Sequence, residues 1–193
     1  NLLESFSTLS FSDEPTGITI NPENNHCFIS DDTGSRSIYE IDPGADGLCL
    51  TPDDSVTSFI TKNNFGSEDP EDVTYGLNSL FIADGTNNEV YRVMPGPNGV
   101  FDSVLTGDDL VSSFDTASMG LLDPEGIAFD LRNNSLFIVV SQRDLIIQTT
   151  INGLLLNTID LSAINPNRPA GLALAPSSEN ISITNLYMVV RGV

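Results

Sequence analysis

Asp123-Pro124-Glu125-Gly126-Ile127-Ala128-Phe129-Asp130, then Asn133-Asn134 and Ser135-Leu136-Phe137-Ile138, is the stretch that decides the fold, because the chain writes it four times. Its echoes are Glu14-Pro15-Thr16-Gly17-Ile18, Asp69-Pro70-Glu71-Asp72-Val73 and Arg168-Pro169-Ala170-Gly171-Leu172. The prolines Pro15, Pro70, Pro124 and Pro169 recur after 55, 54 and 45 residues. Self-similarity at such a period means one supersecondary unit stacked on copies of itself, and this length suits a blade of four short strands.

Working outward from each proline, the same strand signals follow in the same order. The first is an alternating segment: Ile18-Thr19-Ile20, Val73-Thr74-Tyr75, Ile127-Ala128-Phe129 and Leu172-Ala173-Leu174. Large residues fall on one face and small ones on the other, as in a strand squeezed between neighbours. An Asn-bearing turn leads to the second, Cys27-Phe28-Ile29, Leu80-Phe81-Ile82, Leu136-Phe137-Ile138 and Leu186-Tyr187-Met188, which completes a hairpin. A third strand is read at Ile38–Ile41, Val90–Val93 and Leu145–Thr149, and a fourth at Val56–Phe59, Leu110–Phe114 and Leu155–Ile159. No stretch sustains a helical period, so the class is all-β, with three complete four-stranded repeats (13–60, 68–115, 122–160) and a partial fourth (167–193). Leu2–Leu9 reads as an orphan fourth strand within a terminal segment, 1–12. One continuous domain with open edges is expected to be covered by further blades of the same polypeptide or by a neighbouring chain.

Among the 193 residues, 7 basic against 27 acidic give a net charge of −20, which argues against nucleic acid and anionic membranes as partners. No apolar run approaches the roughly 20 residues of a membrane span. Cys27 shares its repeat column with Leu80, and Cys49 shares one with Phe101. Two buried, reduced thiols are expected on that basis, a bond between them being the alternative.

The acidic residues gather in two places. Between the third and fourth strands, repeat one reads Pro43-Gly44-Ala45-Asp46-Gly47 through Asp53-Asp54, and repeat two reads Pro95-Gly96-Pro97-Asn98-Gly99 through Asp102 to Asp108-Asp109. A Gly turn that folds Asp or Asn oxygens around one point is how flexible calcium loops are built, which makes Asp46, Asp53, Asp54, Asn98, Asp102, Asp108 and Asp109 candidate ligands for Ca2+. Repeat three joins the same strands with Asn152-Gly153 alone. The competing reading is a solvated acidic turn. The second group follows from antiparallel order, which brings the start of strand one and the end of strand two to the same end of a blade. Glu71, Glu125, Asp84 and Asp31 head that group, with Glu14, Asp32, Asp69 and Asp123 nearby, and crowded carboxylates need a cation, raised pKa values or turn N–H partners.

Asp-Pro-Glu-Gly-Ile-Ala-Phe-Asp (123–130), Asn-Glu-Val-Tyr-Arg-Val (88–93), the Pro-Gly-Ala-Asp-Gly loop and Asn-Pro-Asn-Arg-Pro-Ala-Gly-Leu-Ala-Leu-Ala-Pro (165–176) together resemble the repetitive β-propeller segments of large secreted bacterial proteins. Those segments are often neighbours of haemolysin-type calcium-binding repeats. More distantly the chain is similar to gluconolactonase and senescence-marker, NHL-repeat and phytase-like propellers. The resemblance implies an extracellular or cell-surface location and a chain that forms part of a larger propeller. It also implies two functions: a non-catalytic calcium-binding module for adhesion, display or assembly, or a metal-dependent lactonase or esterase with an axial ion held by Glu71, Glu125 and Asp84. The fourth repeat breaks the acidic ring, with Arg168, Ala170 and Val190 at its positions. A phytase-like phosphatase fits poorly with 7 unclustered basic residues, and His26, the only histidine, falls in a turn beside Asn25 and reads as a surface residue rather than the base of a nucleophile pair.

Overall fold

The computed structural model describes residues 6–191, in which the repeat signals become strands in the expected order. Blade one is β1 (Pro15–Ile20), β2 (Cys27–Asp31), β3 (Ser37–Asp42) and β4 (Ser55–Ile60). Blade two is β5 (Pro70–Tyr75), β6 (Leu80–Asp84), β7 (Glu89–Met94) and β8 (Leu110–Asp115). Blade three is β9 (Pro124–Asp130), β10 (Ser135–Val140), β11 (Leu145–Thr150) and β12 (Leu155–Asp160), and blade four is the hairpin β13 (Pro169–Pro176) and β14 (Thr184–Val190). Within each blade, consecutive strands pair antiparallel throughout the described residues. The hairpin turns place Asn25, Asn78 and Asn134 at left-handed φ values of 64°, 49° and 50°. Asn tolerates that region because its short polar side chain bonds to nearby backbone, which explains the Asn signal between first and second strands.

Alternation along the second strands builds the junctions between blades. Phe28, Ile38 and Phe59 of blade one meet Val73, Tyr75, Leu80 and Ile82 of blade two in one apolar cluster. Phe81 and Val90 of blade two then meet Ile127, Phe129, Leu136 and Ile138 of blade three. Val139 and Ile146 of blade three meet Leu172, Leu174, Leu186 and Met188 of blade four. A fully buried aromatic at such a junction contributes about 2–3 kcal/mol through area removed from water. The inner strands β1, β5, β9 and β13 pack side by side in that order, and hydroxyls stitch the first three together. Thr19 Oγ1 accepts the Tyr75 N–H at 3.1 Å, and Thr74 Oγ1 accepts the Phe129 N–H at 3.2 Å.

Two expectations are corrected. Of the strand expected at Leu2–Leu9, residues 2–5 lie outside the described residues, and Phe6–Leu9 is not a strand. The chain turns instead, with the Phe11 and Ser12 N–H groups reaching Thr8 O at 2.9 and 2.8 Å. Its Ser- and Thr-rich composition favours turns, and Phe11 packs on Tyr39 at 5.1 Å between ring centroids. The two cysteines, expected as free thiols, form a Cys27–Cys49 disulfide with Cα atoms 6.3 Å apart. The reason lies in the columns themselves. Leu80 and Phe101, their counterparts in blade two, belong to one packed cluster, so the two columns serve the same core region, and in blade one the two cysteines lie within bonding range. A bond spanning 22 residues restricts the unfolded chain by about 3 kcal/mol in the chain-entropy account.

Candidate functional site

Each first strand opens with a β-bulge, and the extra residue is the one that follows the proline. The register steps from Pro70↔Asp84 to Asp72↔Ala83, and from Pro124↔Val140 to Gly126↔Val139, leaving Glu71 and Glu125 unpaired on the ladder. A bulge re-aims the side chain it carries. Here it turns both glutamates into the same mouth, where each is nearly buried and the two oppose one another electrostatically. Burial pushes Glu71 up to about 8, assisted by the charges of Glu125, Asp69 and Asp32. Burial likewise raises Glu125 and Asp32 above the usual carboxylate range.

The cation that this crowding calls for is partly supplied by the chain. The Arg191 guanidinium lies 2.8 Å from Glu125 Oε2 and 3.3 Å from Glu71 Oε2. Sequence reasoning misses it because the fourth repeat reads as a break in the acidic ring. The available signal is its column: Arg191 follows β14 where Asp32, Gly85 and Ser141 follow the other second strands. Asp32, Asp69 and Glu71 form a further group whose ligand atoms lie within 4.8 Å of one another, and Asp32 Oδ1 takes no hydrogen bond. Asp31 and Asp84 stand apart from that group. Asp31 Oδ1 accepts the Thr33 N–H at 2.9 Å while Oδ2 accepts the Ser12 hydroxyl; Asp84 accepts N–H groups of Glu68 at 2.8 Å and Asn87 at 2.7 Å. Their carboxylates tie the entry of each blade to the end of its second strand, as turn caps do.

One level further along the axis stands Asp72, a residue whose role no motif announces. Gly17, Gly126 and Gly171 hold its column in the other three blades. Asp72 is 5% exposed and accepts the Val73 N–H at 2.8 Å and the Ile127 N–H of blade three at 2.9 Å, and the Leu172 N–H of blade four favours its charged form. Against blade one it leaves no room, since a Cβ on Gly17 would sit 2.1 Å from Asp72 Oδ1. One carboxylate therefore touches all four blades. Burial pushes it up to about 7 in spite of its backbone donors.

At the opposite end of the strands, the two acidic connections fold as twins. Asp46 Oδ1 accepts the Leu48 N–H and Asn98 Oδ1 the Val100 N–H, each at 2.8 Å. Asp46, Asp53 and Asp54 bring ligand atoms within 4.8 Å of one another, and so do Asp102, Asp108 and Asp109. Asn98 Nδ2 donates to Asp102 Oδ2 at 2.9 Å. Three carboxylates converging on one point is chemistry for a hard divalent cation. His26 bonds Glu40 at 2.7 Å near this end and is partly covered.

No family model and no curated protein matches the chain. Solved structures do. The streptogramin B lyase structure has a TM-score of 0.54 at 19% identity, covering 92% of this chain and 55% of that one. The Myceliophteria thermophila Cps50 (Swd1) beta-propeller domain has 0.52 at 12% identity, covering 91% and 54%. The fold is a β-propeller. The hemopexin fold protein CP4 from cow pea scores 0.51 at 7% identity and is covered over 92% of its length, against 91% of this chain. Such identities speak to the fold alone, and this propeller chain spans about half the length of the lyase. Its two acidic regions, the Glu71–Glu125 mouth and the twin loops, occupy opposite ends of the blades, as the antiparallel register requires.

Proposed function

We propose that this propeller is a non-catalytic extracellular calcium-binding module for adhesion, display or assembly, in which the ion stiffens surface connections. The observation that carries the reading is the convergence of three carboxylates in each of two long connections, set beside repeat three, which joins the same strands with two residues. The disulfide agrees with an oxidising compartment, since such bonds persist outside the cytosol. The −20 charge keeps the module away from nucleic acid and anionic lipid. Isothermal titration of the metal-free protein with calcium, paired with thermal unfolding in calcium and in chelator, tests it. Binding heats at micromolar-to-millimolar calcium and a raised Tm are expected. Absence of both overturns the calcium reading.

A second reading has its own observation: the Asp32–Asp69–Glu71 group at the mouth, which has the chemistry to hold an ion that polarises an ester or lactone carbonyl. Location of the ion separates the two. An ion at the mouth with metal-dependent ester hydrolysis lost in Glu71→Gln supports the hydrolase, and ions confined to the loops support the module.

A further inference from the structure

We propose that of the two acidic connections only the second, between β7 and β8, is a calcium site, and that its ion fastens blade two onto blade one. This rests on the calcium reading above and gives it a place and a mechanical role. The two loops share a pattern, Gly44 with Gly96, Asp46 with Asn98, Thr51 with Thr106, Asp53 with Asp108, and Asp54 with Asp109, and the second is longer and adds Asp102, which has no acidic counterpart in the first. Their carboxylates are not equally served.

In the first loop backbone N–H groups serve one oxygen of each carboxylate of the acidic pair, the single Thr51 hydroxyl proton serves the other oxygen of Asp53 or of Asp54, and Asp53 is exposed to water. Thr51 Oγ1 lies 2.8 Å from Asp53 Oδ1 and 3.1 Å from Asp54 Oδ1. Asp53 Oδ2 accepts the Ala45 N–H at 2.8 Å, and Asp54 Oδ2 accepts the N–H groups of Leu50 and Thr51, the latter at 3.0 Å. These bonds, led by the Thr51 hydroxyl, hold Asp53 below the usual carboxylate range. A loop satisfied in this way gains little from an ion.

The second loop leaves two buried oxygens without a donor, Asp108 Oδ1 and Asp109 Oδ1. Asp109 is 4% exposed, and its other oxygen accepts the Ser103 N–H at 3.1 Å. Its ligand atom lies within 4.8 Å of those of Asp102 and Asp108. An unpaired charged oxygen out of water is strongly unfavourable. Burial accordingly raises Asp109 above the usual range, opposite to Asp53. A calcium ion among Asp102, Asp108 and Asp109 would serve both orphan oxygens at once and neutralise the cluster.

The mechanical role follows from what the ligands adjoin. Phe101, next to Asp102, is buried and meets Phe28 of blade one edge-on at 5.3 Å. Ser103, whose N–H bonds Asp109, shares a short hydrogen bond with Asn64 of α1 (Thr61–Phe65), the turn that leaves blade one. An ion that fixes Asp102 against Asp109 thereby fixes Phe101 and Ser103 in their seats. The first loop is restrained covalently within its own blade, because Cys49 holds the column of Phe101 and is bonded to Cys27.

Hydrogen exchange of the intact chain with and without calcium tests this without any substitution: protection is expected to rise in 95–109 and 61–66 and to stay unchanged in 43–54. Titration should give one ion per chain, with affinity falling at least tenfold in Asp109→Asn and less than twofold in Asp54→Asn. Two equivalent ions, protection confined to 43–54, or loss of binding in Asp54→Asn alone overturns the assignment while leaving calcium binding intact. No calcium heat in the wild-type chain overturns both readings together, and heat with unchanged exchange at 61–66 overturns the fastening role alone.

Discussion

The junctions between consecutive blades and the cleft between blade four and blade one are made from the same residue columns, and among the described residues only the junctions are filled. Phe28 and Phe81 are 0% exposed where a blade follows them, while Tyr187, in their column on β14, is 42% exposed. Val139 is 0% exposed and its counterpart Val189 is 65% exposed. Facing them across the cleft, Ile18 and Ile20 of β1 are 58% and 56% exposed, although Val73 and Tyr75 in the same columns are buried. The cleft encloses about 430 Å³ between Pro15, Ile18, Leu172, Tyr187 and Val189, and reaches Asp72. Stability of this chain thus resides in junctions, since a blade face contributes only when a second face covers it.

The largest effect that would sharpen this contrast is a truncation on each side of it. Phe81→Ala, at the stacked Phe81–Phe129 pair of the second junction, should cost about 3–5 kcal/mol, while Tyr187→Ala in the cleft should cost about 0.5 kcal/mol or less, both read by urea denaturation. Equal costs would show that the cleft is closed in solution. A smaller, steric version uses the glycine column. Gly17→Ala drives a methyl into Asp72, including its Cα at 2.8 Å, and should cost about 1–3 kcal/mol. Gly171→Ala meets only Val189 Cβ at 3.9 Å and should be close to neutral in the same measurement.

The last test concerns pH. Asp72 and Glu71 have folded-state pKa values raised to about 7 and about 8 from 3.8 and 4.5, so between those limits the folded chain binds more protons than the unfolded one. Stability is therefore fullest below about pH 4 as far as these groups are concerned and declines as pH rises through 7 to 8. Asp72→Asn, which mimics the protonated side chain, should flatten the fall in Tm between pH 5 and pH 8 by the share that Asp72 carries. An unchanged slope would remove Asp72 as a titrating group.

Strand order is legible in the sequence because alternation and proline phrases report local geometry, and the Asn turns report a left-handed backbone. The acidic loops are legible as shared insertions. Three features require the third dimension. Cys27 and Cys49 read as members of two separate apolar columns, whereas the folded chain brings them within bonding range, in columns whose blade-two members Leu80 and Phe101 share one cluster. Arg191 reaches Glu71 across 120 residues, a pairing that no local pattern announces. Asp31 and Asp84 resemble Glu71 in charge and place, and only hydrogen-bond geometry separates a turn cap from a carboxylate turned into the mouth.

Asp72 has a consequence for how such a chain can grow. Repeat proteins lengthen by duplication because each unit meets only its neighbours, so an added copy disturbs nothing beyond its own two contacts. Asp72 belongs to blade two yet accepts an N–H of blade three, is stabilised by the Leu172 N–H of blade four and fits the space left by Gly17 of blade one. Inserting a repeat into this arrangement would move donors out of reach and strand a buried carboxylate. A single aspartate in a column of glycines thus acts as a tally, tying the number of units around the axis to the reach of one side chain.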